Sequence, residues 1–429
     1  MSVIVFGCGY VGLVTAVCLS RMGHIVQSID IESNKVAALS KGTIPFYEPG
    51  LKQRLVLAQK DQTISFATRP SLDAEICIIA VGTPLASDGS SDLTQIYAVA
   101  DTISEMENPP KTVIVKSTVP PGTTRNLSRY IQEKCPNRKF DFISNPEFLR
   151  QGNAVEDFQR PDRVVVGADS APAFETVERL YDRFSLPSGK FVKTDIETAE
   201  LTKYAANSFL TTKIAFMNEL AGYCEKIGAN IDDVAEGMGL DARIGPEFLR
   251  VGPGIGGSCF PKDIQTLSSV AQERENPLGI VDAVIRANRL HLDAMSAKVM
   301  DLCGGNLNGL KIVVLGVTFK ANTDDLRNSP AHAIIPALQK AGAKVTIVDP
   351  VARKNAGRAF EAVVWEDDPY LAASNAEAIV ILTEWDMFRT LDLEKLAKVS
   401  KEPRLADLRN LYDRETARKA GFKYTSVGR

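Results

Sequence analysis

A short apolar run at residues 3–6 leads directly into Gly7-Cys8-Gly9-Tyr10-Val11-Gly12, and this junction constrains the chain more than any other feature. The run suits a strand buried on both faces. An apolar helical pattern follows to Met22, Gly23 supplies a stop, and a second apolar run at 25–29 ends in Asp30. A GxGxxG triplet alone is a weak signal. Here a strand precedes it, a helix opens on it, and an acidic residue stands 18 positions beyond Gly12. That context specifies a dinucleotide-binding βαβ unit. Gly7 permits the tight turn, Gly9 lets the backbone approach a pyrophosphate resting on the helix N-terminus, and Gly12 allows close helix–sheet packing. Asp30 accepts from both ribose hydroxyls and repels a 2′-phosphate, so the expected cofactor is NAD and not NADP. FAD uses the same fingerprint, but no other flavin-site feature is present.

Further βα units follow. Runs at 76–81, 112–116 and 140–144 end in Gly82-Thr83-Pro84, in Ser117-Thr118-Val119-Pro120-Pro121-Gly122 and in Asn145-Pro146-Glu147. Loops of this kind at strand C-termini are where open α/β sheets bind ligands. From about 194 to 274 the pattern becomes helical, broken at 245–263 by a stretch rich in glycine and proline, and a second long helical pattern covers 278–303. The opening theme then recurs: a strand at 311–315, a helix at 330–341, Gly342 as a stop, a strand at 344–348 ending in Asp349, and a strand at 378–382. The expected fold is α/β, with two Rossmann-like doubly wound parallel sheets joined by a helical central region. The expected divisions are 1–194, 195–303 and 304–429. In the second lobe Gly316-Val317-Thr318-Phe319-Lys320 stands where the first has its glycine triplet, so that lobe is expected to bind a different ligand.

Composition excludes several functions. The chain has 429 residues, more than one core usually holds, and a formal net charge of −3 without a long basic run, so no nucleic-acid partner is expected. Seven dispersed cysteines without a CxxC point to a reducing compartment, read as the cytoplasm. His24, His291 and His332 lie too far apart in sequence to suggest a metal site. The apolar runs fall short of the ~20 residues of a membrane span, so no membrane partner is expected. Among the cysteines, Cys259 differs from the rest. Cys8, Cys18, Cys77 and Cys224 sit in apolar patterns, and Cys135 and Cys303 lie near element ends without activating neighbours. Cys259 follows Gly252-Pro253-Gly254-Ile255-Gly256-Gly257-Ser258 and precedes Lys262. Glycines admit a substrate to the backbone, and a nearby cation raises the thiolate fraction.

Longer motifs then carry a resemblance. GCGYVGL at 7–13, YEPGL at 47–51, VGTP at 81–84, KSTVPPGTT at 116–124, NPEFLRQG at 145–152 and PDRVVVG at 161–167 keep one order with KYAANSFLTTKIAFMNE at 203–219, DARIG at 241–245, GPGIGGSCFPKD at 252–263 and GVTFKANTDDLRNSP at 316–330. Together they resemble the nucleotide-sugar dehydrogenase family, in its UDP-glucose/GDP-mannose group. The resemblance implies a four-electron oxidation of UDP-glucose to UDP-glucuronate, through a thiohemiacetal and a thioester on Cys259, with two NAD consumed. It makes Lys203 and Asn207, four residues apart on one predicted helix face, the stabilisers of the developing oxyanion. Without the match, such a pair reads as a solvated face. It assigns a water to Thr118 and Asp263, and hydrolysis of the thioester to Glu147, which otherwise reads as a helix-start carboxylate. Tyr10, Val11, Lys35, Thr83, Thr118 and Lys262 join the glycines and Asp30 around the cofactor. Phe148, Leu149, Arg150, Phe248 and Gly256 join Glu147, Lys203 and Asn207 around the sugar. Lys320 and Arg327, and more weakly Arg409, face the diphosphate. Arg243 is implied to reach a partner's sugar site, which makes the chain a homodimer or a higher homo-oligomer. GDP-mannose is the rival substrate, and the stretch at 241–257 favours the UDP-glucose group. PFYEPGL at 45–51 departs from the more usual PIYEPGL.

Overall fold

The computed structural model describes residues 1–181, 190–357 and 359–429. It forms two compact units, Met1–Ala206 and Asn207–Arg429.

In the first unit the strands are β1 (Ser2–Phe6), β2 (Ile25–Ile29), β3 (Ile64–Ala67), β4 (Ile76–Ile79), β5 (Thr112–Val115), β6 (Asp141–Ser144), β7 (Val164–Gly167) and β8 (Phe191–Thr194). Its helices are α1 (Tyr10–Arg21), α2 (Ser33–Ser40), α3 (Leu51–Lys60), α4 (Thr94–Glu105), α5 (Thr123–Lys134), α6 (Ala154–Gln159) and α7 (Ala171–Tyr181). The eight strands form one sheet in the order β3-β2-β1-β4-β5-β6-β7-β8. The order reverses between β1 and β4, which are both paired in parallel register from Val3–Ile76 to Phe6–Ile79. That switch point opens a crevice beyond the strand ends. β1, β4, β5 and β7 are buried nearly throughout, as their unbroken apolar runs require. α1 is buried from Gly12 to Ser20 and lies against the sheet as a core helix. One feature departs from a purely parallel sheet: β7 pairs antiparallel with β6 at Ser144–Gly167, and β8 then follows β7 in parallel.

A 32-residue helix, α8 (Ile196–Ile227), begins in the first unit, where Asp195 accepts the Thr198 N–H. The second unit adds α9 (Ile231–Gly239), α10 (Phe260–Glu273) and α11 (Gly279–Leu302). Six strands follow: β9 (Lys311–Leu315), β10 (Lys344–Val348), β11 (Val363–Trp365), β12 (Ala378–Ile381), β13 (Arg404–Asp407) and β14 (Lys423–Ser426). They are all parallel, in the order β11-β10-β9-β12-β13-β14, the same winding as the first six strands of the other sheet. The recurrence read from the sequence is therefore a recurrence of topology. α12 (Ala331–Lys340) crosses over between β9 and β10 and ends at Gly342, whose φ is +96°. Among the described residues no helix is long and apolar enough to cross a membrane, and no group of three or more His, Cys, Asp or Glu could hold a metal ion.

Candidate nucleotide and catalytic sites

The glycine triplet separates into three physical cases. Gly7 has a φ of +99°, and a Cβ there would lie 2.5 Å from the Ala80 carbonyl oxygen. A Cβ on Gly12 would lie 1.9 Å from the Gly7 carbonyl oxygen, so that glycine is demanded by close packing of α1 on its own loop. Gly9 is the N-cap of α1 with an ordinary φ of −74°, and a Cβ there meets nothing within 4 Å. Folding does not require glycine at that position, whereas a group approaching the helix N-terminus does. The residues present thus fit a dinucleotide pyrophosphate. At the end of β2, Asp30 is buried; its Oδ2 accepts the Cys8 N–H at 2.9 Å and the Lys35 ammonium at 3.1 Å, and its Oδ1 accepts the Glu32 N–H at 3.0 Å. A carboxylate offers about four acceptor sites, and three are taken, so one remains for a ribose hydroxyl and a second if the Lys35 ammonium moves aside. Thr83 donates to the Thr118 carbonyl at 2.8 Å and ties together two of the loops that border the crevice.

Tyr10 and Val11 pack against the core of this unit, and Tyr10 donates to Glu48. Glu48 is buried and also accepts the Gly152 N–H at 2.7 Å and the Ala154 N–H at 2.8 Å. One carboxylate thereby joins the start of α1 to the loop after Glu147. Glu147 is itself buried; its Oε2 accepts the Leu149 N–H at 2.5 Å, and its Oε1 lies 3.6 Å from the Lys203 ammonium. The Lys203 ammonium stands 5.1 Å from the Phe148 ring centroid, and the Arg163 guanidinium stacks on that ring at 3.5 Å. Burial pushes the Arg163 guanidinium below its usual range. Leu149 packs into the core, while the exposed Arg150 pairs with Asp157.

In the second unit Cys259 is half-buried and forms the N-cap of α10, with Pro261 in its first turn. Its carbonyl accepts the Asp263 N–H at 2.8 Å. Asp263 is buried on that same turn; its Oδ2 accepts from the Asn207 amide at 2.6 Å, and its Oδ1 meets the Lys262 ammonium at 2.6 Å. Asn207, Lys262 and Asp263 therefore form one buried polar cluster a single helical turn from the thiol. The glycine loop packs on the segment after β9. A Cβ on Gly256 would meet the Asn328 carbonyl oxygen at 2.8 Å, and one on Gly257 would meet the Phe319 ring at 3.0 Å. Phe248 sits at a φ of +64°, with its ring 6.1 Å from Phe260.

The second lobe repeats the first with different contents. Gly316 (φ +81°) takes the place of Gly7, and a Cβ there would strike Thr383 at the end of β12. Asp349 takes the place of Asp30, but its carboxylate is turned onto the N–H groups of Val317, Thr318, Val351 and Ala352. Asp30 makes the corresponding contacts to Cys8 and Glu32; Asp349 adds Thr318 and Ala352, so all of its roughly four acceptor sites are taken by main chain. Lys320 lies beside Phe319. Arg327 is held by Asp325 in two bonds of 2.8 Å, which raise its pKa. Arg409 is committed to the carbonyls of Leu382 (2.8 Å) and Phe319 (2.7 Å) and to Glu384. Arg243 is exposed and pairs with its neighbour Asp241.

Comparison with known proteins places this arrangement. Residues 1–185 match the NAD-binding domain of the UDP-glucose/GDP-mannose dehydrogenase family, 197–290 its central domain and 313–414 its UDP-binding domain. The chain belongs to the UDP-glucose/GDP-mannose dehydrogenase family. It is 45% identical, over all of both chains, to the UDP-glucose 6-dehydrogenase of Rhizobium meliloti. A UDP-glucose dehydrogenase from Pyrobaculum islandicum shares its fold with a TM-score of 0.90 and 34% identity, covering 100% of this chain and 97% of the other. A UDP-D-ManNAc dehydrogenase from Pyrococcus horikoshii follows at 0.87 and 26%, covering 100% and 99%. As a member of this family the chain is an NAD-dependent dehydrogenase, and its NAD-binding domain lies within residues 1–185.

Glu48, Arg163 and Glu200 in the first unit, and Asn218, Asn288 and His291 in the second, make contacts beside the candidate residues that the sequence analysis does not name. Glu48 lies in the YEPGL motif, the one sequence signal that marked it. Glu200, on α8, accepts the Gly122 N–H at 2.6 Å and the Thr124 N–H at 2.8 Å. It caps α5 from a distance of 76 residues in sequence and fastens the loop that carries Thr118 to the helix that carries Lys203.

Proposed function

We propose that the chain oxidises UDP-glucose to UDP-glucuronate in a four-electron reaction that passes through a thioester on Cys259. The observation that carries this reading is the placement of Cys259 at the N-terminus of α10, inside a glycine loop and one turn from the Asn207–Asp263–Lys262 cluster. A full-length relative at 45% identity, named UDP-glucose 6-dehydrogenase, supports the substrate.

NAD, when bound, accepts one hydride, so two equivalents are consumed for each carboxylate formed. Loss of a proton and a hydride from the primary alcohol gives an aldehyde. The Cys259 thiolate adds to its carbonyl carbon, a C–S bond forms, and the oxygen takes a proton to complete the thiohemiacetal. Loss of a second proton and hydride leaves the thioester. Water then attacks the carbonyl, the C–S bond breaks, the thiolate returns to Cys259 and the acid departs. Lys203 opposes the negative charge that develops on the substrate oxygen at each stage. The Asn207 amide has two N–H groups; one is given to Asp263, and the other is available to the same oxygen. Glu147 takes a proton from the attacking water, with Thr118 and Asp263 holding that water.

Lys320 and Arg327 supply the local cations that a diphosphate of about two negative charges needs. The three-part division at 194/195 and 303/304 assigns cofactor, dimerisation with the thiol loop, and nucleotide sugar in turn. A homo-oligomer in the cytoplasm completes the reading, with Arg243 serving the partner's site. Phe209, Phe216 and Tyr223 support it: they lie exposed on α8 at seven-residue spacing, which forms a seam suited to a second copy of the helix.

The substrate is tested by supplying NAD with UDP-glucose, GDP-mannose or UDP-N-acetylglucosamine in separate reactions. Acid is expected from UDP-glucose alone. Acid from GDP-mannose instead would keep the chemistry and overturn the substrate.

A further inference from the structure

We propose that His291, acting with Asn288 and Asn218, is a positioning residue: it fixes the glycine loop that presents Cys259. The proposal rests on the assignment of Cys259 as the nucleophile.

Residues 252–258 form neither helix nor strand. Their main-chain polar groups must therefore find partners outside regular structure. At the far end of the loop those partners include main chain and a neighbouring amide. The Gly257 N–H reaches the Arg327 carbonyl at 3.1 Å, and the Asn328 amide donates to the Gly257 carbonyl at 3.2 Å. At the near end they are side chains from two long helices. Asn218 on α8 accepts the Gly252 N–H at 3.0 Å, and His291 on α11 meets the carbonyl of the same glycine through Nε2 at 2.7 Å. Asn288, one turn earlier on α11, accepts the Ile255 N–H at 2.8 Å and turns its amide to the Ile255 carbonyl at 3.5 Å. Gly254 (φ +146°) lies so close to α11 that a Cβ would sit 2.8 Å from Leu292.

Positions 288, 291 and 292 share one face of the helix, so α11 holds the loop as a rack holds a rail. None of these side chains has a part in the chemical steps. Their effect is on where the loop, and hence the thiol, stands. A displacement of ~1 Å can cost a reaction on the order of 100-fold in rate. His291 is half-buried, and desolvation lowers its pKa below the ordinary range. At pH 7.5 it is neutral, and the Gly252 carbonyl selects the tautomer with hydrogen on Nε2. Glu225 and Lys298, the charged groups that act on it, neutralise each other at 2.7 Å.

The test uses the full chain with His291→Ala and His291→Gln, since glutamine keeps an N–H donor without a titrating ring. Two quantities are read: hydrogen exchange of peptides covering 251–258 at pH 7.5, and kcat with KM for NAD. His291→Ala is expected to speed exchange in the loop at least 10-fold and to lower kcat about 10-fold, with KM for NAD within 2-fold. His291→Gln is expected to restore both. Should His291→Ala fail to fold, Asn288→Ala carries the same expectation for exchange and kcat, with NAD binding as the control. Unchanged exchange, or changed exchange with unchanged kcat, would overturn the proposal. A Cys259→Ala variant that still forms acid would instead overturn the nucleophile assignment. The exchange measurement would then still report whether His291 holds the loop.

Discussion

Alanine at Gly9 and alanine at Gly12 are expected to damage the protein in opposite ways. The Gly9 Cβ position is open to 4 Å and its φ is ordinary, so Gly9→Ala costs little beyond the change of N-cap, roughly 0.5–1 kcal/mol. Its methyl, however, occupies the space through which a pyrophosphate approaches the N-terminus of α1. A loss of about 10- to 100-fold in NAD affinity is expected, equal to roughly 1.4–2.7 kcal/mol. At Gly12 the added carbon would lie 1.9 Å from the Gly7 carbonyl oxygen, far inside contact distance. Relief requires α1 to move more than an ångström away from a fully packed sheet. Overpacking of that kind costs about 3 kcal/mol or more. Calorimetric titration with NAD and urea denaturation of both variants separate the two effects. If Gly9→Ala binds NAD as the parent does, or loses as much stability as Gly12→Ala, the account of the cradle is wrong.

Two further outcomes follow from buried carboxylates. Asp263→Ala leaves the Lys262 ammonium and the Asn207 amide without their shared acceptor, and is expected to destabilise the second unit by about 3 kcal/mol; Asp263→Asn, which keeps an acceptor for Asn207, is expected to cost less. Urea midpoints check the pair, and equal midpoints for parent and Asp263→Ala would contradict it. Burial raises the Glu200 carboxyl above its ordinary 4.5, so its contribution to stability is complete below that value and declines as pH rises through the folded value. The stability of the parent relative to Glu200→Gln should therefore fall as pH is raised from about 4 toward 7, and a difference that stays flat with pH would refute the assignment.

The two Rossmann-like lobes were legible because their signals are local. A glycine triplet between two apolar runs, with an acid at the end of the second, needs no distant partner to be recognised. The strands at Ile25–Ile29, Lys311–Leu315 and Lys344–Val348 fall where the alternation of apolar runs and glycine stops puts them. The reversal at β7 was not legible, since strand direction depends on connections and not on composition. The same holds for the clamps. Glu48 closes on residues 104 and 106 positions away, and Glu200 on residues 76 and 78 away. No period or spacing announces such pairs. Asp349 shows the converse: its position mirrors Asp30, yet only its contacts reveal that it fastens a loop. Arg409, which the sequence offers as a weaker cation for phosphate, gives its Nε and Nη2 to two carbonyls beside Glu384, contacts that no spacing announces.

The central claim is that Cys259 carries the substrate covalently between two oxidations. Its most direct test counts NADH formed per UDP-glucuronate released, in the parent and in Cys259→Ala. Two NADH per acid in the parent, with no acid from the variant, is the predicted result. One NADH per product, or acid formed at the parent's rate by Cys259→Ala, would contradict it.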